Sequence, residues 1–126
     1  MDVNTHLGIS KKFVGEPISV APGEASARLI TTSEMVADEK GLIHGGFAFG
    51  LADYAAMLAV NDPFVVLGAA DAKFLAPVSE GDILVAQAKV TEEKGKKRTV
   101  HCTVKSQIPV FEGTFTCFVL EKHVLA

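Results

Sequence analysis

The sequence lacks tryptophan, has a single tyrosine and carries little excess charge, and these scarcities exclude several classes of partner. A net charge of −3 and a pI near 5.8 create no field that would attract nucleic acid or an anionic membrane surface. The shortage of tryptophan and tyrosine also leaves little aromatic surface on which bases could stack. We therefore expect neither a nucleic-acid partner nor a membrane partner.

Long apolar segments and targeting signals are also missing. The longest apolar stretch is interrupted by His44, Asp53 and several glycines, so it does not predict a membrane span. The first residues lack the basic and apolar regions of a signal peptide, which predicts a cytoplasmic protein. A length of 126 residues predicts one domain, residues 1–126, large enough to bury a core without staples.

Cysteine is scarce as well. Cys102 and Cys117 are too few for a disulfide framework and are expected to be free, buried thiols. No grouping of histidine, cysteine and aspartate has the spacing of metal ligands, so no metal is expected.

The most informative stretch is residues 46–60, where nearly every side chain is apolar or small. This pattern predicts a helix of about 15 residues that is buried on all sides. Asp53 is the one ionisable group on it. Because an unaided buried carboxylate costs several kcal/mol, this side chain must be paired, protonated or functional. Pairing with Arg28 is the structural alternative to catalysis.

The residues before this helix, His44, Gly45 and Gly46, form its N-terminus. Free N–H groups and the helix dipole there favour developing negative charge. Either glycine amide could stabilise an oxyanion, and both glycines could also serve close packing. His44 is either a general acid or a satisfied histidine at the helix entry without chemistry.

Alternating apolar residues predict antiparallel strands on both sides of the helix. The predicted strands are two within residues 16–32, joined by a turn at 21–24, and four at 64–76, 83–91, 98–108 and 111–121. If residues 109–110 form the last turn, Val104 faces Phe115 and Cys102 faces Cys117. The fold class is therefore α+β, with a curved antiparallel sheet of five to six strands wrapped around one helix.

At this point the chain resembles a known family. Gly-x-x-His-Gly-Gly followed by Phe-x-Phe-x-Leu-Ala-Asp, at residues 41–53, resembles the signature of hotdog-fold acyl-CoA thioesterases of the phenylacetate-pathway (PaaI) type. Residues 72–84 resemble the strand, turn and strand that follow the helix in that family. The resemblance covers about residues 36–120 and implies a hotdog fold and thioester hydrolysis.

The resemblance also implies residue roles. Asp53 would be the general base or nucleophile, the Gly45 amide part of the oxyanion hole, and His44 a neighbour of the thioester. The family commonly has asparagine where this chain has Asp38, which is a departure. No cofactor is implied, because coenzyme A is part of the substrate.

Spacing along the helix predicts a dimer. Gly45 and Asp53 are eight residues apart, which is about 12 Å along a helix, so one carbonyl carbon cannot approach both on the same chain. A site shared across a two-fold axis solves this problem, and we expect a homodimer, with a dimer of dimers as a further option.

Gly46 is a candidate for contacting substrate. Candidates for lining an acyl pocket, and equally for the core, are Phe47, Phe49, Tyr54, Met57 and Phe74. Coenzyme A phosphates need cations, for which the candidates are Lys73 and the basic cluster at residues 94–98 that includes Arg98. Alternatively, the basic cluster is a solvated turn that keeps a sheet edge soluble, and Lys73 pairs with Asp71.

Two other functions remain open. Hotdog domains also serve as acyl-CoA sensors in fatty-acid regulators, which tend to lose the carboxylate that Asp53 retains here. A hotdog hydratase or dehydratase is the third reading, and His44 before the two glycines fits its motif poorly.

Overall fold

The computed structural model describes residues 1–126 and contains one long helix and six strands. In chain order these are β1 (Glu16–Ala21), β2 (Glu24–Ile30), α1 (Gly45–Val60), β3 (Val65–Phe74), β4 (Ile83–Lys94), β5 (Lys97–Lys105) and β6 (Pro109–Val119). A single 3-10 turn, Ser33–Met35, precedes the helix.

The six strands form one antiparallel sheet in the order β1-β2-β4-β5-β6-β3. Helix α1 lies across one face of this sheet and packs most extensively on β2 and β4. This arrangement confirms the α+β class and the hotdog fold, with six strands rather than five. None of the helices combines the length and the hydropathy that crossing a membrane requires.

Helix α1 is 16 residues long and is buried along most of its length, as its composition predicts. It begins one residue earlier than predicted, at Gly45, and ends at Val60. The next residue, Asn61, is the C-cap and adopts a left-handed conformation with φ of 54°. The Asn61 amide donates to the carbonyl of Met57 at 2.8 Å and closes the last turn.

The N-terminal arm, residues 1–15, contains turns and no helix. Its backbone is held by the Asn61 side chain, which accepts from the amide of Asn4 and donates to the carbonyl of Asp2, each at 2.8 Å. The residue that ends the helix therefore also fixes the arm against it.

Two of the turns between strands contain a glycine with positive φ. Gly23, in the predicted β1–β2 turn, and Gly95, in the β4–β5 turn, both have positive φ, at 75° and 58°. Such a backbone conformation costs glycine little and other residues much, which explains why both hairpins were predicted correctly.

The predicted register of the last hairpin is wrong. Pro109 is the first residue of β6 and not part of the turn, so Val104 lies opposite Phe111 and Cys102 opposite Gly113. Proline is tolerated at the start of a strand, whereas a two-residue Pro-Val turn is unfavourable. The error is four residues, an even number, so the apolar side chains still share the inner face. Cys102 and Cys117 are not cross-strand neighbours, and both are free thiols.

Gly113 is one point where this register requires glycine. A Cβ at Gly113 would lie 3.1 Å from the rings of both Phe111 and Phe115, and both rings are fully buried. An added methyl group would therefore push against two buried aromatic rings of the core.

We expect Gly113→Ala to lower the free energy of unfolding by about 1–3 kcal/mol, the usual cost of overpacking. Urea denaturation followed by circular dichroism measures this difference. Gly8→Ala is the matched control, because a Cβ at Gly8 would meet no atom within 4 Å. Equal stability of the two variants would contradict the packing argument.

Candidate active site

The loop before the helix is shaped by Asp38. Its Oδ1 accepts from the amides of Lys40 and Leu42, at 2.9 and 3.1 Å. The His44 amide then donates to the carbonyl of Met35 at 3.0 Å, which anchors the chain where the helix begins. The residue that departs from the family pattern therefore acts here as an acceptor within its own loop, a role that an asparagine oxygen could also fill.

His44 is the N-cap of α1. Its Nδ1 accepts from the Gly46 amide at 2.9 Å, so the neutral ring carries its proton on Nε2. A Cβ at Gly46 would lie 2.8 Å from this Nδ1, so glycine is needed for the imidazole to fit against the backbone. The Gly46 amide is therefore occupied, and the capping role of His44 is present in the structure.

The Gly45 amide has no hydrogen-bond acceptor in the chain. It lies exposed in the first turn of α1, where the helix dipole adds to its pull on an anion. Of the two glycines predicted as oxyanion donors, the geometry favours Gly45. The ring of Phe74 covers one side of this glycine, since a Cβ there would lie 3.1 Å from the Phe74 ring.

A cavity of about 410 Å³ opens beside this amide. His44, Gly45 and Phe74 form part of its wall, and the other lining residues are Leu42, Ile43, Ala48, Leu75, Ala76, Pro77, Val78 and Val110. No lysine, arginine, aspartate or glutamate lines it, so it suits an uncharged apolar group. The segment 75–78 and Val110 were missed in the sequence, because they follow β3 and begin β6 and meet the helix only through the fold.

Asp53 lies two turns further along α1 and does not line this cavity. It is partly buried, and its Oδ1 atom is shielded from solvent without any hydrogen-bond partner. Burial raises the pKa of this carboxyl from 3.8 to about 6. The alternative pairing with Arg28 is wrong, because that guanidinium binds Glu16 at 3.0 Å.

The surroundings of Asp53 include both thiols. Burial and, secondarily, the nearby charge of Asp53 raise the pKa of Cys102 and of Cys117 to about 12. A thiol with such a pKa is protonated at neutral pH and is a poor nucleophile. Of these three side chains, only the Asp53 carboxyl has a pKa below neutral pH.

Lys73 and Arg98 lie away from the cavity of their own chain. Lys73 is exposed beside Asp71 and forms no ion pair with it, so that alternative pairing is absent. It alternates with Phe74 along β3, and its side chain therefore points to the opposite face of the sheet.

Arg98 is engaged within the β4–β5 turn. Its Nε donates to Glu93 at 2.7 Å, and its Nη1 donates to the carbonyls of Gly95 and Lys97 at 2.7 and 3.1 Å. In the register of β6, Arg98 lies opposite Cys117, whereas Phe74 lies opposite Phe111. Six residues of strand separate these positions by roughly 20 Å.

The free N–H and the carboxyl thus do not meet within one chain. Gly45 and Asp53 are eight residues apart on the same helix, which corresponds to about 12 Å along its axis. No three histidine, cysteine, aspartate or glutamate side chains come together as a metal site requires.

We expect Asp53→Asn to stabilise the fold at neutral pH. Folding raises the pKa of the Asp53 carboxyl from 3.8 to about 6. The folded state is therefore destabilised relative to the unfolded state wherever this carboxyl is ionised. The penalty of ionisation accumulates between these two pKa values and stays constant above pH 6, reaching at most about 3 kcal/mol.

Thermal unfolding at pH 4 and pH 8 tests this expectation. The melting temperature of Asp53→Asn should exceed that of the wild type by more at pH 8 than at pH 4. Glu92→Gln is the control, because Glu92 is exposed and unpaired. A pH-independent difference for Asp53→Asn would contradict the raised pKa.

Comparison with known proteins identifies the family of this chain. The family model described as "Thioesterase superfamily" matches residues 40–110, which include the helix start, Asp53 and the wall segment 75–78. The protein PH1136 of Pyrococcus horikoshii, described as uncharacterized, has a crystal structure 54% identical in sequence. Its TM-score is 0.99, with 100% of this chain and 98% of that chain covered.

Two curated relatives are longer than this chain. Methylthioribose-1-phosphate isomerase of Aquifex aeolicus is 52% identical over 124 residues, which are 96% of this chain and 27% of that protein. Transcription factor FapR of Caldanaerobacter subterraneus is 31% identical over 125 residues, which are 98% of this chain and 62% of that protein. The chain thus spans about a quarter and three fifths of these proteins.

The phenylacetate-pathway proteins are more distant than the resemblance implied. A mutant PaaI of Thermus thermophilus is 28% identical, with a TM-score of 0.78 over 86% of this chain and 95% of that one. A Streptococcus mutans protein solved with acetyl CoA is 23% identical, with a TM-score of 0.80 over 94% and 99% of the two chains, and it shows the shared fold alone.

Proposed function

Because the chain belongs to the thioesterase superfamily, we propose that it hydrolyses the thioester bond of an acyl-CoA, with each active site shared between two subunits. The observation that carries this proposal is the partly buried Asp53 carboxyl, whose Oδ1 has no partner in its own chain. Unpaired carboxyls of raised pKa are typical of sites that move protons near neutral pH.

The proposed reaction places the thioester carbonyl oxygen at the Gly45 amide. Water attacks the carbonyl carbon while Asp53 of the other subunit accepts its proton, and the Gly45 N–H stabilises the oxyanion. The C–S bond then breaks, and the proton passes to the departing thiolate, giving a free acid and coenzyme A. Direct attack by Asp53 to form an anhydride, followed by hydrolysis, leads to the same products.

The edge strand β3 supports the two-fold arrangement. It is ten residues long, mostly apolar, and its outer backbone N–H and C=O groups have no partner strand. The opposite edge, β1, is shorter and carries Pro17 and an irregular register between Pro17 and Ser19. Proline and bulges protect an edge from pairing, whereas a long apolar edge invites it, so we place the dimer contact at β3.

Antiparallel pairing of two β3 strands puts the end of one beside the start of the other. Phe74, at the end of β3, contacts Gly45, so the oxyanion donor of each subunit would approach the sheet of the partner. This brings the donor of one subunit toward the Asp53 face of the other, which a single chain cannot do. Gly46 serves this site through His44, whose ring it accommodates.

The acyl group we propose is uncharged. The cavity beside Gly45 is apolar and has no cation, so the carboxylate of a malonyl or succinyl group would be buried there without a partner. Aliphatic or aryl acyl groups would bury apolar surface instead.

Hydrolysis assays over acyl-CoAs of different length and charge test the activity. We expect turnover of uncharged acyl-CoAs, a rise of kcat/KM as pH increases through about 6, where Asp53 ionises, and loss of turnover in Asp53→Asn. A folded Asp53→Asn dimer with wild-type activity would contradict the role of this residue.

Similarity to a transcription factor favours one alternative, the non-catalytic acyl-CoA sensor domain that the family resemblance also allows. Calorimetry separates the two functions in the same samples. Binding of acyl-CoA to the wild type with no release of free thiol would favour the binding domain.

The shared site is tested by mixing two inactive variants. Gly45→Pro removes the amide donor at N1, where proline is compatible with a helix, and His44 already has the extended backbone that a residue before proline needs. Gly45→Ala is the matched control, because it adds the same Cβ beside Phe74 and keeps the N–H. We expect Gly45→Pro to lose about 10²–10³-fold in kcat relative to Gly45→Ala.

Refolding Gly45→Pro together with Asp53→Asn should then restore activity. Half of the dimers would be mixed, each with one intact site of two, so about a quarter of wild-type activity is expected. A site within one chain would give no recovery, and that result would refute sharing.

A further inference from the structure

The first residues of the N-terminal arm are tied to the end of α1. The Asn61 side chain binds the backbone of Asp2 and of Asn4, each at 2.8 Å. The ring of His6 lies 6.3 Å from the ring of Tyr54, which is buried on α1. Residues 1–6 contain no helix or strand, so side-chain contacts of this kind hold them in place.

His6 has an unusual backbone conformation. Its φ is 55°, in the left-handed region that few residues other than glycine adopt. The Ile9 amide donates to the His6 carbonyl at 3.1 Å and closes a turn immediately afterwards. Such a conformation costs free energy and persists only where surrounding contacts compensate for it. Docking of the arm is therefore sensitive to a loss of the contacts that His6 makes.

The His6 side chain also lines a hollow of about 260 Å³ between the arm, the start of β3 and the C-terminal segment. The other lining residues are Thr5, Pro63, Phe64, Val65, Val66, His123 and Val124. No aspartate, glutamate, lysine or arginine lines it. A charge on His6 would therefore lie beside apolar surface, with no counter-charge in the hollow.

Few titratable groups face His6 from the elements packed against it. Helix α1 presents Tyr54, whose pKa burial raises above its ordinary value of 10, and the C-terminal segment presents His123. The start of β3 presents only apolar side chains. Asp62, in the loop before β3, accepts from the Phe64 amide at 2.8 Å and does not line the hollow. Neither Tyr54 nor His123 can neutralise a proton on His6.

Protonation of His6 would leave one contact intact and would place a charge among the others. The Thr5 hydroxyl lies 2.8 Å from Nδ1 and can donate to it or accept from it, so this bond survives. The Tyr54 ring, at 6.3 Å, is beyond the roughly 6 Å within which a cation gains from an aromatic face. Burial lowers the pKa of His6 below its ordinary value of 6.5. Because the detached arm binds the proton more readily, docking is strongest above pH 6.5 and weakens as the pH falls below it.

From this placement of His6 we propose that the N-terminal arm is a pH-sensitive strap. It is docked on the end of α1 while the imidazole is neutral, and it detaches when the imidazole carries a proton. Detachment uncovers Tyr54 and the apolar start of β3. This inference goes beyond the proposed function, since it concerns the free protein and requires no hydrolysis.

Two measurements on the wild-type protein at pH 7.5 and pH 5.5 test the strap. Hydrogen exchange of the Asn4 amide, corrected for the intrinsic effect of pH, reports opening of the arm, because this amide is bonded to Asn61. We expect opening to rise several-fold at pH 5.5, with about tenfold as the limit for one titrating group. Tyr54 is the only tyrosine and there is no tryptophan, so acrylamide quenching of tyrosine fluorescence should rise in parallel.

Variants identify the group that titrates. His6→Asn suits the left-handed backbone and His6→Phe keeps an uncharged ring beside Tyr54, so we expect neither to open further at pH 5.5. His123→Asn, in the same hollow, and His101→Asn, on β5 outside it, are matched controls that should keep the wild-type response. The Asp53 carboxyl, which also titrates near pH 6, is present in all four variants, so it cannot account for a difference between them.

Circular dichroism at both pH values establishes that the fold itself is unchanged. A wild-type response that persists in both His6 variants, or that is lost in His123→Asn, would overturn the proposal. So would an Asn4 amide whose corrected exchange is the same at pH 5.5 and pH 7.5. Release of the arm at low pH in a protein that hydrolyses no acyl-CoA at any pH would uphold the strap and refute the hydrolase.

Discussion

The proposed site depends on one constraint, a carboxyl oxygen of Asp53 that receives no hydrogen bond from its own chain. Asp53 lies on a helix enclosed by apolar side chains, and its Oδ1 is shielded from solvent. Most buried polar atoms have a partner, so an exception of this kind carries a cost that folding alone does not explain. Protonation, a bound water, a substrate or a second subunit would offset this cost, and the proposed site relies on the last two.

Adjacent residues at the start of the helix have different roles. His44 caps the helix through Gly46, and this bond leaves the preceding amide, that of Gly45, unbound at the surface. The helix dipole and the apolar cavity then make that amide a suitable donor to a developing negative charge. The carboxyl and the amide belong to one helix and are about two turns apart, so they cannot meet within one chain. The unpaired edge of β3 offers the means of joining two chains.

The fold alone does not decide between catalysis and recognition. Similar sequences occur in proteins whose names describe an isomerase, a transcription factor and an uncharacterized protein, and the first two are much longer than this chain. Function must therefore be argued from the site. This chain offers a carboxyl of raised pKa at Asp53 and, at Gly45, an unbound amide beside an apolar cavity.

The sequence by itself determined the elements and their faces. The helix, its stop at Asn61, the hairpins at Gly23 and Gly95 and the inner face of β5 follow from local periodicity and turn chemistry, which nearby residues dictate. The sequence also identified Asp53 as an unusual residue, because it is a single acidic side chain within an apolar stretch.

Only the tertiary structure decided the pairing of the last hairpin, the commitment of Arg98 to Glu93 and the meeting of segment 75–78 with the helix start. A register error of an even number of residues leaves the alternating pattern intact, so the pattern could not detect it. Contacts between distant segments depend on how the sheet curves around the helix, and no local pattern records that curvature.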